Sequence, residues 1–219
     1  KQVIADIGNT KQKTLSVDLS KEAVQQITAD VFNALKDSPD TTLSINLGNA
    51  RISFDGKNIK TVNDTPYDFG FTTVCKNSAQ MLIETKDNNA FTYSFNYHGT
   101  LPGYATFTIF TNFKQGEKIN VYRYDSESST YSLIAKNIVV GAGGIVEYSN
   151  DTCSEYVLTT KTIQNAAEYT SVKLQTAQAK TKKSSIPLLI LVGFLLLVLG
   201  GFIGIFISKK FLENRKIFK

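Results

Sequence analysis

The chain offers few side chains that could do chemistry, and it contains a single histidine, His98. A Ser–His–Asp or Cys–His mechanism needs a histidine as its base, so any such mechanism here would have to use His98. This residue lies in "NYHGTLPG", which we predict to be a turn between two strands, and we interpret it as a loop imidazole bonded to its own turn. The acidic residues are scattered singly through predicted turns. The sequence therefore predicts that the protein is not an enzyme.

Metal ligands are equally scarce. A zinc site needs three or four ligands such as cysteine and histidine, and the chain has two cysteines and one histidine in total. The stretch "DSESST" at 125–130 alternates oxygen-bearing side chains. It lacks the glycine at the sixth position of a calcium loop and the acid at the twelfth, where Lys136 stands. We predict a solvated hairpin loop there, and neither a metal nor another cofactor in the protein.

The two cysteines, Cys75 and Cys153, allow one disulfide pairing, across 78 sequence positions. Outside the cell such a bridge can form, and it would stabilise the fold by about 4 kcal/mol in the chain-entropy model. Cys75 can instead be a small buried hydrophobic residue, because it shares the alternation of Phe69 and Phe71 along a predicted strand. At this point the sequence leaves both interpretations open.

Several tyrosines alternate along predicted strands, and this pattern has two interpretations. Exposed tyrosine rings can form a platform on which sugar rings stack, which would suit a glycan or surface-protein ligand. The same alternation is typical of cross-strand packing inside a sheet. The residues concerned are Tyr93, Tyr97, Tyr122, Tyr124 and Tyr131.

The elements that must position these residues begin with one strand and one helix. Leu15, Val17 and Leu19 alternate with polar residues, which predicts a strand. Ser20 then has the character of a helix N-cap, and an apolar stripe at helical spacing follows it and ends before Pro39. The residues of this stripe are Val24, Ile27, Val31 and Leu35.

After this helix the apolar period changes to two. Leu43, Ile45 and Leu47 alternate, a further strand precedes a predicted Asp55–Gly56 turn, and another is predicted over 69–75. Roughly ten short strands follow one another with turn residues between them. The sequence therefore predicts a mainly β fold, an antiparallel β-sandwich with one N-terminal helix.

Three stretches of this domain, "YHGTLPGYATFTIF", "GEKINVYRYDSESSTYSLIAKNIVV" and "CSEYVLTT", carry a resemblance. They resemble a β-rich module found near the C-termini of cell-surface proteins of clostridia and related Gram-positive bacteria. That module has a Leu-Pro-Gly turn, a Tyr-x-Tyr-Asp hairpin and a Cys-Ser-Asp/Glu-Tyr-Val-Leu corner. The resemblance covers roughly residues 14–160, departs at Thr152, where a histidine commonly stands, and implies an unpaired Cys153. It implies a cell-surface setting and no particular chemistry.

The C-terminal part of the chain predicts a membrane anchor. Residues 186–207 are 22 consecutive positions without a charge, and at about 1.5 Å per residue they would span about 33 Å, enough for a bilayer core of about 30 Å. We therefore predict a single-pass transmembrane helix that lies in the lipid bilayer. Gly193, Gly200 and Gly204 lie near one face of this helix, which leaves a homodimer through the helix open.

Basic residues are concentrated beside this segment. The chain has 24 Lys and Arg against 19 Asp and Glu, yet residues 1–160 hold 14 basic and 17 acidic side chains. The folded part thus has no basic surplus to neutralise phosphates, which argues against a nucleic-acid partner. Five basic residues follow the apolar segment against three shortly before it, so we predict a cytoplasmic C-terminus and an extracellular N-terminal domain.

The predicted organisation is an extracellular domain over 1–160, a polar stalk over 161–185, a transmembrane helix over 186–207 and a basic cytoplasmic tail over 208–219. This organisation predicts a non-enzymatic cell-surface protein that acts in display, adhesion or envelope assembly. Two alternatives stay open: a C-terminal anchor fragment of a larger envelope enzyme, and a dedicated subunit of a membrane complex. The start at Lys1 rather than Met fits a mature protein or a fragment.

Overall fold

A computed structural model describes residues 2–9 and 13–169 of the chain. The helices are α1 (Gln2–Asn9), α2 (Ala29–Lys36) and α3 (Ser78–Thr85). The strands are β1 (Thr14–Asp18), β2 (Gln26–Ile27), β3 (Thr42–Asn46), β4 (Ala50–Ile59), β5 (Tyr67–Asp68), β6 (Phe71–Thr72), β7 (Phe91–Phe110), β8 (Lys118–Asp125), β9 (Thr130–Val139), β10 (Ile145–Thr159) and β11 (Ala167–Glu168).

One large sheet organises the domain. Its strand order is β1-β3-β4-β7-β10-β8-β9-β11, with β6 beside β7, while β2 and β5 form a separate small sheet. Most neighbours are antiparallel, but β1 pairs with β3 in parallel and β11 pairs with β9 in parallel. The predicted mainly β fold is confirmed, and the prediction of a wholly antiparallel sheet is wrong.

The two longest strands, β7 with 20 residues and β10 with 15, lie side by side in the middle of the strand order. They pair with each other at both ends, and register shifts in β10 between 150 and 155 interrupt the pairing. Such bulges bend a strand. The rings of Phe95 and Phe107, both on β7, have centroids 5.7 Å apart. The hydroxyl of Tyr93 on β7 is hydrogen-bonded to that of Tyr148 on β10. Phe95 and Phe107 are twelve positions apart on one strand, so their contact requires β7 to bend.

The main apolar cluster lies inside this bend, and α2 covers part of it. The Phe32 side chain of α2 is fully buried, and its ring meets those of Phe54 and Tyr67 edge to face at 5.0 and 4.9 Å. Truncation of such a buried aromatic residue to alanine typically costs about 3–5 kcal/mol of folding free energy. Packing of this kind anchors α2 to the sheet.

A second apolar cluster lies on the opposite face of the sheet. Val157 belongs to it, whereas its neighbour Tyr156 belongs to the main cluster, because successive side chains of a strand alternate between faces. The helix α3 contributes Met81, and Ile163 and Ala166 pack against the cluster from the C-terminal side. The sheet is therefore covered on both faces in this region.

The helices differ from the prediction. The helix expected after Ser20 begins only at Ala29, since Gln26 and Ile27 pair with β5 instead, and Val24 is 61% exposed. The prediction of a single N-terminal helix is also wrong, because α1 and α3 are present as well. In α3 the core-facing residue is Met81, while the apolar side chains that follow it are exposed, so this helix has no apolar stripe that a sequence pattern would reveal.

Three local predictions also differ from the structure. The expected Asp55–Gly56 turn is absent, because β4 continues through it. A Cβ at Gly56 would collide with the carbonyl oxygens of Leu35 and Ser38, so glycine is needed for this close approach. The predicted turn around His98 lies within β7. Cys75 lies in the loop before α3 rather than in a strand.

The described residues after 160 contact the rest of the domain. We call residues 161–169 the C-terminal strap. Its Lys161 carbonyl accepts a hydrogen bond from Asn120 Nδ2 at 3.1 Å, and the Ile163 amide donates to the hydroxyl of Tyr122 at 3.2 Å. The pairing of β11 with β9 completes the attachment.

The remaining C-terminal predictions lie outside the described residues. They comprise the rest of the stalk, the transmembrane helix over 186–207 with Gly193, Gly200 and Gly204, and the tail over 208–219. Within 2–9 and 13–169, no helix has the length and apolar character needed to cross a membrane.

Candidate functional site

Three groups of residues that the sequence marks as candidates meet in one surface cleft of about 230 Å³. These groups are the histidine, one cysteine and the beginning of the "DSESST" loop. We call this site the His98 cleft; its lining includes His98, Arg123, Asp125, Glu127, Cys153 and Glu155.

An irregularity in the sheet creates the His98 cleft. Cys153 of β10 pairs with Gly99 of β7, but Glu155, two residues later, pairs with Ser94. Four residues of β7 therefore face a single residue of β10, and His98 is one of the four. This mismatch interrupts the pairing of β7 with β10, and the imidazole of His98 is exposed there, whereas Phe95 is buried and pairs with Phe71 of β6.

The imidazole of His98 has a serine neighbour, although the geometry is not that of an activated nucleophile. Its Nε2 lies 3.4 Å from the Oγ of Ser94, which is a long contact. The Ser94 hydroxyl donates instead to the carbonyl oxygen of Phe95 at 3.1 Å. A serine that gives its proton to the backbone does not give it to the imidazole at the same time, so this pair does not form a nucleophile and base.

The two cysteines are free thiols in separate clusters. Cys153 is 1% exposed in the main cluster, and burial raises its thiol pKa well above 9.0. Cys75 belongs to the second cluster, where burial also raises its pKa and its Sγ lies 2.9 Å from the Oγ of Ser78. Both thiols are therefore protonated near neutral pH, and neither is an activated nucleophile. The structure contains no bridge between them.

Arg123 connects the His98 cleft to the C-terminal strap. Its guanidinium lies over the ring of Tyr169, with Cζ 5.9 Å from the ring centroid, and its Nε is buried without a hydrogen-bond partner among the described residues. The Tyr169 hydroxyl donates to Asp151 Oδ1 at 2.6 Å, and burial together with this bond raises the pKa of Tyr169 to about 12. This network fastens the last described residue to the domain.

The "DSESST" stretch forms the hairpin loop between β8 and β9, as predicted. Asp125 Oδ1 accepts hydrogen bonds from the amides of Ser128 at 3.2 Å and Glu127 at 3.0 Å, and these bonds lower the pKa of Asp125. Its carboxylate thus caps its own loop. No group of three or more His, Cys, Asp or Glu side chains gathers as a metal site in the described part of the chain.

The tyrosines confirm the packing interpretation of their alternation. Tyr93, Tyr122, Tyr124 and Tyr131 are buried, and only Tyr97 is half-buried. Tyr93 stacks on Tyr156 across the strand pair, with ring centroids 5.1 Å apart. An exposed row of rings for sugars is therefore not formed by these residues.

A second and larger cleft, of about 510 Å³, lies where the end of α3, the hairpin loop and the C-terminal strap come together. We call it the strap cleft. No sequence pattern indicates this cleft, because its strap residues, 162–165, have the composition of a linker. Its lining includes Glu84, Lys86, Ser129, Tyr131, Ile163, Gln164 and Asn165.

No protein-family model, curated protein or solved structure matches the chain. Function is therefore inferred from the chain itself. Two features bear on it most directly: the clefts of the domain, and the uncharged run that follows it in the sequence.

Proposed function

We propose that the chain is a non-enzymatic, single-pass protein of the cell surface that acts in display, adhesion or envelope assembly. The observation that carries this proposal is the order of its segments. A β domain whose last described residue is Tyr169 precedes 22 uncharged residues over 186–207, and a basic end over 208–219 follows them. This order is typical of a domain that is held at a membrane by its C-terminus.

The state of the candidate nucleophiles supports a role without catalysis. The thiol of Cys153 is buried and its pKa is raised, and the proton of Ser94 goes to a backbone carbonyl rather than to His98. Hydrolytic and transfer enzymes usually activate a nucleophile with a neighbouring base. The His98 cleft brings the residue types together without that activation.

The attachment of the C-terminal strap supports the display role. Tyr169, the last described residue before the uncharged run, donates a hydrogen bond to Asp151 and packs against the guanidinium of Arg123, so the domain holds this end of the connecting segment. The resemblance to the surface module of Gram-positive bacteria supports the same setting. We further propose that the bent sheet is a β-sandwich, which the contact between the rings of Phe95 and Phe107 supports.

Extraction of membranes with alkaline carbonate tests the anchor. The full chain should stay in the membrane pellet, whereas a chain carrying Leu196→Arg and Val198→Arg should be released, since each arginine at a helix centre costs about 2.5–3.5 kcal/mol of insertion free energy. Phe211→Arg with Leu212→Arg is the matched control, because it adds the same charge outside the uncharged run. Release of the full chain by alkali would refute the anchor.

A further inference from the structure

The strap cleft has the size of a ligand site. Its volume of about 510 Å³ falls within the roughly 300–1,000 Å³ that is usual for small-molecule pockets. Three separate pieces of chain build it: the end of α3, the loop between β8 and β9, and the C-terminal strap. Its shape therefore depends on long-range packing rather than on one flexible loop.

Two backbone positions at the strap cleft have the left-handed conformation that favours glycine. Lys86 has φ 50° and Ser129 has φ 52°, and the described residues contain just one more non-glycine residue with positive φ, Asn137. Such conformations are disfavoured for residues with a Cβ and are enriched at functional sites. Lys86 and Ser129 lie on the two parts of the cleft rim that the end of α3 and the hairpin loop form.

The polar groups at the rim are available to a ligand. The side chains of Ser129, Thr162, Gln164 and Asn165 are exposed, and they make no hydrogen bond to another described residue. Amides and hydroxyls both donate and accept. The rim therefore offers a dense set of neutral hydrogen-bonding groups.

The base of the strap cleft is partly apolar. Tyr131 is buried there and donates its hydroxyl to Glu84 Oε2 at 2.5 Å, while the half-buried side chain of Ile163 lies beside it in the lining. Glu84 and Lys86 carry opposite charges, so the charged side chains of the lining favour neither an anionic nor a cationic ligand. An apolar floor surrounded by neutral polar groups matches a sugar ring, whose faces carry C–H groups and whose edge carries hydroxyls.

We propose that the strap cleft binds a neutral mono- or disaccharide. This inference rests on the proposed surface function, because it names the class of ligand that an adhesion domain would recognise. The site differs from the exposed tyrosine platform that the sequence suggested. In this proposal Tyr131 forms part of the floor beneath the sugar, and the side-chain amides of Gln164 and Asn165 hydrogen-bond to its hydroxyls.

Binding should be tested with the full chain in phospholipid nanodiscs, because many detergents carry sugar headgroups that would compete. The probes are glucose, galactose, N-acetylglucosamine, cellobiose, lactose, maltose and chitobiose, detected by saturation-transfer NMR and titrated where they bind. At least one probe should bind. The double variant Gln164→Ala/Asn165→Ala should weaken that binding by about tenfold or more, since it removes two side chains that bond the ligand.

The matched control is Asn88→Ala/Asn89→Ala, which removes two exposed amides from a different cleft. It should leave binding unchanged, and both double variants should keep the far-ultraviolet circular dichroism of the parent chain. Three results would overturn the proposal: no probe binds at tens of millimolar, binding persists in the Gln164/Asn165 variant, or binding is lost in the control. None of these results bears on the anchor, which carbonate extraction tests separately.

Discussion

Asp87 should contribute a measurable, pH-dependent part of the stability of the domain. It lies in the loop between α3 and β7, is 7% exposed, and binds the last residue of β10 and the residue that follows it. Its Oδ2 accepts hydrogen bonds from the Thr159 hydroxyl at 2.7 Å, the Thr160 amide at 2.8 Å and the Thr160 hydroxyl at 2.9 Å. Its Oδ1 accepts one from the Asn89 amide at 3.0 Å. One carboxylate thus ties the α3–β7 loop to the end of β10.

The size of the contribution follows from the pKa of Asp87. Burial alone would raise this pKa, but the hydrogen bonds from Thr159, Asn89 and Thr160 outweigh it and lower the pKa from 3.8 to about 2. One pKa unit corresponds to about 1.4 kcal/mol, so the ionised carboxylate stabilises the fold by about 2–3 kcal/mol. Because the folded pKa is the lower one, this stability is present above about pH 4 and is lost as the pH falls towards 2.

The variant Asp87→Asn keeps the shape of the side chain and removes its charge. Urea unfolding of residues 1–171, which form one compact unit, can be followed by circular dichroism at pH 7 and at steps down to pH 2.5. The free energy of unfolding should fall by about 2–3 kcal/mol at pH 7, and the difference from the parent should shrink below pH 4. Asp64→Asn, at an exposed loop position, is the matched control.

The control should change the unfolding free energy by less than about 0.5 kcal/mol. If Asp87→Asn behaves like Asp64→Asn at pH 7, the carboxylate does not link the two segments. A large destabilisation that stays constant from pH 7 to pH 2.5 would contradict the electrostatic cause instead.

Three further predictions concern the thiol, the backbone and the strap. Cys153 should react with a thiol-directed probe only after unfolding, because burial raises its pKa; rapid labelling of the native protein that disappears in His98→Ala would make it a catalytic nucleophile. Lys86→Gly should raise the free energy of urea unfolding by about 0.5–1 kcal/mol, because glycine adopts the φ of 50° found at this position without strain. A lower free energy of unfolding would show that backbone strain at Lys86 does not destabilise the fold. Tyr169→Phe should lower the unfolding free energy by about 1 kcal/mol through loss of the bond to Asp151, and an unchanged value would mean that this bond does not hold the strap.

The strands that follow a simple alternation were predictable from the sequence. Leu43 and Ile45 on β3 and Phe107 and Ile109 on β7 are buried as their period of two indicates. On these strands one face meets the core, so local hydrophobicity is enough to assign the face. These regular strands were therefore enough to predict a mainly β fold.

The bend of the sheet and both clefts were not predictable in the same way. The segment around His98 contains Gly and Pro and has the local composition of a turn, but β10 pairs on both sides of it and makes it a bulge within β7. The strap has a linker composition, and only a few contacts, such as those of Ile163 and Tyr169, hold it to the domain. These features depend on partners far away in the sequence, which a local pattern does not contain.

We propose that residues 186–207 cross a membrane with the domain outside the cell. Two single-cysteine additions test it, Ser184→Cys before the uncharged run and Asn214→Cys after it, in the full chain expressed in cells. The parent chain serves as background, because its own two cysteines are buried. A membrane-impermeant maleimide should label Ser184→Cys in intact cells and Asn214→Cys only after permeabilisation. Labelling of both in intact cells, or of Asn214→Cys alone, would contradict the account.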